Sequence, residues 1–115
     1  MKLYFYALEQ NMFNVDAEIK MYECEVIKET EKRYYLQERG LGDKFPYRSR
    51  IVDKRDIKKI TMYSYEILVL TEKDDIYAME VFENRYKEEI SNKEFELNLW
   101  KENLKHFKER GVQHE

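Results

Sequence analysis

The sequence predicts an α+β fold: a strongly bent antiparallel sheet or small open β-barrel of about five or six strands, followed by two C-terminal helices. Three observations support this class. Aromatic and β-branched residues dominate alternating segments of the first 70 positions. The three- and four-residue spacing typical of amphipathic helices begins only after residue 70. Of the three glycines and one proline, three fall within residues 39–46, which predicts a long loop there.

Strands are predicted over segments 2–9, 15–29, 32–38, 47–52, 59–63 and 64–70, with a turn at 10–14. In the second segment, Ile19 and Met21 occupy one side by period two, and Tyr22 and Cys24 the other. This change of phase predicts a β-bulge near residues 21 and 22. The last segment ends in four consecutive apolar residues, 67–70, which predicts a central strand covered on both faces.

The helical region is predicted to form two helices, 72–90 and 92–110. The first has an apolar stripe of Ile76, Met79, Phe82, Tyr86 and Ile90, with Thr71 and Asp74 resembling a capping pair. The second opens on a capping box of Ser91 and Glu94 and ends at Gly111, a favoured residue after a helix C-terminus.

The stripe of the second helix is formed by Leu97, Trp100, Leu104 and Phe107. Two interpretations stay open for it. Trp100 is either the buried anchor of the helix, or part of an outward-facing dimer interface. Together the strands and helices make one domain, 1–111, with a frayed tail at 112–115.

Composition narrows the function classes. A chain of 115 residues with 43% hydrophobic residues can bury one core, and its net charge of −3 gives no bulk attraction for nucleic acid. The single cysteine, Cys24, forms no intrachain disulfide, which favours a reducing, cytoplasmic location. No apolar run is long enough to cross a membrane.

Catalytic and cofactor motifs are not found in the sequence, so we expect a non-enzymatic protein without a metal or cofactor. His106 and His114 are expected on the surface, with no ligand at metal-binding spacing. A row of glutamates on one hairpin offers an alternative, a two-carboxylate hydrolase or cation site. Its members are Glu23, Glu25, Glu29 and Glu31.

A basic patch is the one local charge imbalance. Between residues 48 and 59, six basic residues face two aspartates, and two aromatic residues immediately precede them. The candidate binding residues are Phe45, Tyr47, Arg48, Arg50, Lys54, Arg55, Lys58 and Lys59. Such a patch suits a phosphate backbone, a nucleotide or an acidic protein. The alternative is a solvated edge strand whose charges prevent aggregation.

Surplus tyrosines suggest an interaction surface, because Tyr4, Tyr6, Tyr34, Tyr35, Tyr63 and Tyr65 are too many for one small core. Residues 22–36 and 48–57 resemble the hairpin and basic strand of small proteins from phages and prophages of low-GC Gram-positive bacteria. That resemblance implies an accessory, non-enzymatic role in phage–host interplay and assigns no functional residues. The sequence therefore favours a protein-interaction module whose partner is itself or a host protein, with nucleic-acid or phosphorylated-ligand binding as the alternative.

Overall fold

The computed structural model of the protein describes residues 1–11, 16–37, 49–62 and 65–114. The predicted loop 39–46 and positions 12–14 of the predicted turn lie outside these ranges. The chain divides into two compact units, Met1–Ala78 and a second that begins at Met79. The described elements are β1 (Lys2–Asn11), β2 (Asp16–Glu29), β3 (Arg33–Leu36), β4 (Ile51–Asp53), a 3-10 turn (Lys54–Asp56), β5 (Ile60–Met62), β6 (Glu66–Leu70) and α1 (Asp75–Arg110).

The six strands form one antiparallel sheet in the order β4-β3-β2-β1-β6-β5. The α+β class with a curled sheet is confirmed. β6 lies inside the sheet between β1 and β5, and Ile67, Leu68, Val69 and Leu70 are all buried. The prediction of a central strand covered on both faces is therefore also confirmed.

Sheet curvature follows from the residues that share the core. Val52 of β4 and Val69 of β6 belong to one buried cluster with Phe5 of β1. In a flat sheet, strands four positions apart would be separated by roughly 19 Å. The turn after β4 also reaches β6, because the backbone N–H of Lys58 donates a 3.0 Å hydrogen bond to the Val69 carbonyl. The sheet therefore bends into an open half-barrel around this cluster.

The predicted bulge near residues 21 and 22 is wrong. β2 pairs with β1 without interruption, since Met21 lies opposite Tyr6 and Tyr22 lies opposite Phe5. The two apolar sets of β2 simply belong to opposite faces of a continuous strand, because both faces of β1 bury apolar side chains. The register irregularity occurs further along, between Val26 and Lys28 in the pairing with β3.

Helix α1 begins one residue after its N-cap, Asp74. The Asp74 carboxylate accepts a 3.0 Å hydrogen bond from the backbone N–H of Tyr77, which satisfies a donor that has no partner inside the helix. The sequence predicted that Thr71 and Asp74 together form a capping pair. In the structure the N-cap is Asp74, and its own side chain caps the helix. The buried positions of the early helix are Ala78 and Phe82, whereas Ile76 and Met79 of the predicted stripe are exposed.

The prediction of two C-terminal helices is also wrong, because α1 is one helix of 36 residues. The Ser91–Glu94 capping box lies in its interior. Residues 72–110 contain neither glycine nor proline, so nothing interrupts the backbone hydrogen bonds at Ser91. The predicted stop is confirmed: Gly111 has φ of 61°, and its N–H donates a 3.0 Å hydrogen bond to the Phe107 carbonyl.

Candidate functional site

The basic patch is only partly covered by the described residues. Its members Phe45, Tyr47 and Arg48 lie outside them. Arg50 is exposed just before β4, Lys54 and Arg55 form the 3-10 turn, and Lys58 and Lys59 lie in the turn that follows. Asp53 precedes the 3-10 turn, but its side chain makes no capping hydrogen bond there.

The sheet brings part of this patch against a second basic segment. β3 and β4 pair so that Arg33 lies opposite Asp53. We call the resulting concave surface the β3–β4 groove; it is lined by Glu31, Lys32, Arg33, Asp53, Lys54 and Arg55. Lys32 and Arg33 were not among the predicted site residues, because they lie about twenty positions from Lys54 in the chain and only strand pairing brings them close.

Carboxylates neutralise much of the charge in the β3–β4 groove. Nζ of Lys54 lies 3.1 Å from a Glu29 carboxylate oxygen and 5.0 Å from the Tyr34 ring centroid. Nε of Arg33 lies 3.1 Å from Oδ1 of Asp53, and Arg55 reaches the other Asp53 oxygen at 3.9 Å. Three of the four basic side chains of the groove therefore lie beside carboxylates, and one positive charge remains in excess over Glu29, Glu31 and Asp53.

The pKa of Arg33 is raised above its ordinary value. The hydrogen bond with the Tyr35 side chain contributes most, followed by the charge of Asp53 and the hydrogen bond to it. All three interactions favour the charged guanidinium of Arg33. A phosphate approaching Arg33 would have to compete with Asp53 for these donors.

Lys58 is directed away from the groove. Its backbone adopts φ of 66°, and its ammonium group lies 5.9 Å from the centroid of the Tyr77 ring, within the same unit. A Lys side chain on an aromatic face is a stabilising cation–π contact. The structure therefore separates the predicted patch into the Lys54–Arg55 end, which lines the groove, and Lys58, which contacts Tyr77.

Three members of the predicted glutamate row, Glu23, Glu25 and Glu29, are engaged in ion pairs. Lys2 lies 3.2 Å from Glu23 and 4.0 Å from Glu25, and Glu29 is the partner of Lys54. Across residues 1–11, 16–37, 49–62 and 65–114, no three His, Cys, Asp or Glu side chains converge as metal ligands do. His106 and His114 are exposed, as predicted.

The surplus of tyrosines does not produce the expected surface within the described residues. Tyr6 and Tyr34 are buried, Tyr4 and Tyr35 are half-buried, and Tyr65 is exposed. Most of these rings are buried or half-buried in the sheet, because the sheet buries side chains on both of its faces. Exposed apolar area is instead concentrated on α1.

One face of α1 carries a row of exposed apolar side chains, which we call the apolar stripe. It consists of Ile90, Leu97, Trp100, Leu104 and Phe107, each between 53 and 70% exposed. At 100° per residue these five positions fall within an arc of about 100°. The prediction that Trp100 is a buried anchor is therefore wrong, since 70% of this residue is exposed.

The opposite face of α1 also carries an aromatic residue. Phe95 is 66% exposed and lies roughly 170° around the helix from the middle of the apolar stripe. It thus has the same side chain and nearly the same exposure as Phe107, but a different direction. Phe95 is the natural control position for any test of the stripe.

Comparison with protein families, curated proteins and solved structures finds no match to this chain. In the described part of the chain, no helix combines the length and the hydrophobicity needed to cross a bilayer.

Proposed function

We propose that this protein is a non-enzymatic protein-interaction module whose binding surface is the apolar stripe of α1. The observation that supports the proposal is the exposure of five large apolar side chains on one helical face. Contiguous exposed apolar patches are uncommon on monomeric proteins and mark association sites. Trp100 and Phe107 are the expected anchors, because aromatic side chains dominate the energetics of protein interfaces.

The test compares two phenylalanine substitutions in the full-length protein. Phe107→Glu places a charge in the apolar stripe, whereas Phe95→Glu places the same charge on the opposite face. The immobilised wild type and Phe95→Glu variant should retain the same stoichiometric protein partner from an extract of the source cell, or a second copy of the chain. Phe107→Glu should lose it.

Circular dichroism checks that both variants remain helical. Retention of the partner by Phe107→Glu at unchanged stoichiometry would show that the stripe is not the binding surface. The same conclusion follows if the wild type binds no protein, itself included, at micromolar concentration.

A second candidate function is binding of a nucleic acid or phosphorylated ligand. It is supported by the convergence of Lys32, Arg33, Lys54 and Arg55 on the β3–β4 groove, and opposed by the carboxylates paired with them. A mobility shift of RNA or DNA that weakens as salt rises would support it, since counterion release sets that slope. Arg48→Glu combined with Arg50→Glu should abolish the shift. Absence of any shift for the wild type at low salt would exclude this function.

We further propose a source for the gene and a cellular location for the protein. The resemblance of residues 22–36 and 48–57 to phage and prophage proteins supports an accessory role encoded by a phage or mobile element. A single cysteine that lies buried in a strand supports a cytoplasmic location. The neighbouring genes test the first point, since genes of an unrelated cellular pathway on both sides would contradict it.

A further inference from the structure

We propose that the apolar stripe binds a second copy of the same chain, with the two α1 helices antiparallel and related by a two-fold axis. This inference rests on the proposed function and names its partner. The axis passes between Leu97 and Trp100, so that Leu97 of each copy packs against Trp100 of the other. Such an arrangement is self-complementary, as a two-fold interface must be.

The spacing of the apolar stripe fits a second helix better than it fits a flat surface. When Lys93 is included with the five stripe residues, the positions from Ile90 to Phe107 alternate in steps of three and four residues. This is the heptad repeat of a two-stranded coiled coil, whose mean of 3.5 residues keeps one seam directed at a partner helix. The first set of core positions is Ile90, Leu97 and Leu104, and the second is Lys93, Trp100 and Phe107.

Lys93 is the only polar residue among these six positions, and it selects the antiparallel orientation. In a parallel pair in register, Lys93 would face Lys93 of the second copy inside the seam, which is costly for two ammonium groups. In the antiparallel pair it faces Leu104, and the two lysines lie about 16 Å apart along the axis. The stem of Lys93 can then cover apolar surface while its charge stays in water.

Charges beside the seam favour the same orientation. Glu94 and Lys101 occupy equivalent flanking positions, and an antiparallel pair places Glu94 of each copy beside Lys101 of the other. Neither residue has an oppositely charged neighbour three or four positions away in its own helix. Their charges therefore find complementary partners in the antiparallel dimer.

Further from the centre of the antiparallel pair, one attractive and one repulsive contact between flanking charges cancel. The antiparallel register brings Glu89 near Arg110 of the second copy, but also Lys87 near Lys108. The Glu89 carboxylate already accepts a 2.6 Å hydrogen bond from Arg85, which lowers its pKa. A parallel pair would instead place Glu89 beside Glu94, which is repulsive, and Glu96 beside Lys101, which is attractive, so its flanking charges would cancel. The Glu94–Lys101 contacts therefore decide the orientation.

The area available is sufficient for a specific dimer. Five exposed side chains on each of two copies, two of them aromatic, amount to on the order of 1,000 Å² of buried surface. This lies at the lower limit for specific protein interfaces. Association should consequently depend on concentration within the micromolar range.

Sedimentation analysis of the full-length protein across the micromolar range tests the inference. The wild type should form a dimer. Glu94→Lys alone and Lys101→Glu alone should each weaken it by about tenfold, because both symmetric contacts become repulsive. The double variant, Glu94→Lys with Lys101→Glu, should regain the wild-type affinity. An equimolar mixture of the two single variants should form a heterodimer, since every contact is then complementary.

Other outcomes would overturn the inference. A parallel dimer predicts that Glu94→Lys strengthens association, because it removes the repulsion from Glu89. A wild type that stays monomeric throughout would exclude self-pairing. If Phe107→Glu still abolished, and Phe95→Glu preserved, the binding of a different protein, the interaction function would stand without the homodimer. If neither self-pairing nor a stripe-dependent partner were found, both proposals would fail.

Discussion

The hydroxyl of Tyr6 in β1 donates a 2.7 Å hydrogen bond to Oδ1 of Asp75, the first residue of α1. The hydroxyl oxygen of Tyr6 in turn accepts a 3.0 Å hydrogen bond from the backbone N–H of Asp74, the N-cap. Tyr6 is 2% exposed, and Ala78 in the first turn of the helix is also buried. A single tyrosine therefore ties the start of α1 to the sheet, and it satisfies a backbone donor that a helix leaves without a partner.

Tyr6→Phe should destabilise the protein while preserving the packing of the ring. Removing the hydroxyl leaves the Asp74 N–H without its partner, which costs about 1–3 kcal/mol of unfolding free energy. We expect a thermal midpoint lower by about 4–12 °C. Tyr65→Phe is the matched control, because Tyr65 is 38% exposed, and its midpoint should change little. Equal midpoints for the two variants would mean that the Tyr6 hydroxyl contributes nothing.

The pKa of Tyr6 predicts a loss of stability in alkali. Burial, reinforced by the hydrogen bond to Asp75, raises this pKa from 10.0 to about 12. The folded protein therefore holds a proton that the unfolded chain releases at lower pH. The stabilisation is complete below pH 10 and decreases as the pH rises towards 12.

Urea unfolding of the wild type and of Tyr6→Phe at a series of pH values isolates this effect. The raised pKa values of Lys2 and Lys20 are common to both proteins and cancel in the difference. The stability difference between the two proteins should shrink as the pH rises above 10. A constant difference up to pH 12 would contradict the assignment.

Phe5 and Trp100 should respond in opposite ways to truncation. Phe5 is fully buried in the sheet core, so Phe5→Ala should cost about 3–5 kcal/mol at every protein concentration. Trp100 is 70% exposed, so Trp100→Ala should leave the stability of the dilute protein within about 0.5 kcal/mol. Its effect should be seen instead in sedimentation, as weaker association. A large loss of stability for Trp100→Ala in dilute solution would show that this side chain is buried in the folded monomer.

Local patterns predicted several elements of the fold correctly. The four consecutive apolar residues 67–70 identified a strand covered on both faces, and Gly111 identified the end of the helix. Both predictions depend on short-range chemistry, namely the period of a strand and the left-handed conformation that glycine adopts easily. The α+β class followed from the change of period after residue 70.

Predictions failed where a local signal had two readings. Ser91 and Glu94 have the spacing of a capping box, but the same residues are tolerated inside a helix when no glycine or proline breaks it. The phase change at Met21 and Tyr22 was interpreted as a bulge. In the structure the strand is continuous, and apolar residues lie on both of its faces. In each case the competing structure has the same local sequence, and longer-range packing decides between them.

At the two candidate sites, too, the sequence shows local features, whereas long-range packing decides how they are paired or covered. The charges of Lys54, Arg55 and the adjacent Asp53 were evident in the sequence, but the carboxylate that pairs with Lys54 comes from another segment, Glu29 of β2. Four members of the apolar stripe were likewise evident from their spacing, whereas Ile90 was assigned to the first of two predicted helices. Periodicity identifies the residues that share a helical face, but it does not say whether that face is covered.

By itself, then, the sequence determined the period of each element, the end of the helix and four of the five members of the apolar stripe, because these depend on residues a few positions apart. Only the tertiary structure decided the strand order β4-β3-β2-β1-β6-β5, the anchoring of α1 by Tyr6 and the exposure of Trp100. These depend on contacts between residues distant in the chain, such as Tyr6 and Asp75. Their partners are selected by the free energy of the whole packed sheet, which no single segment encodes.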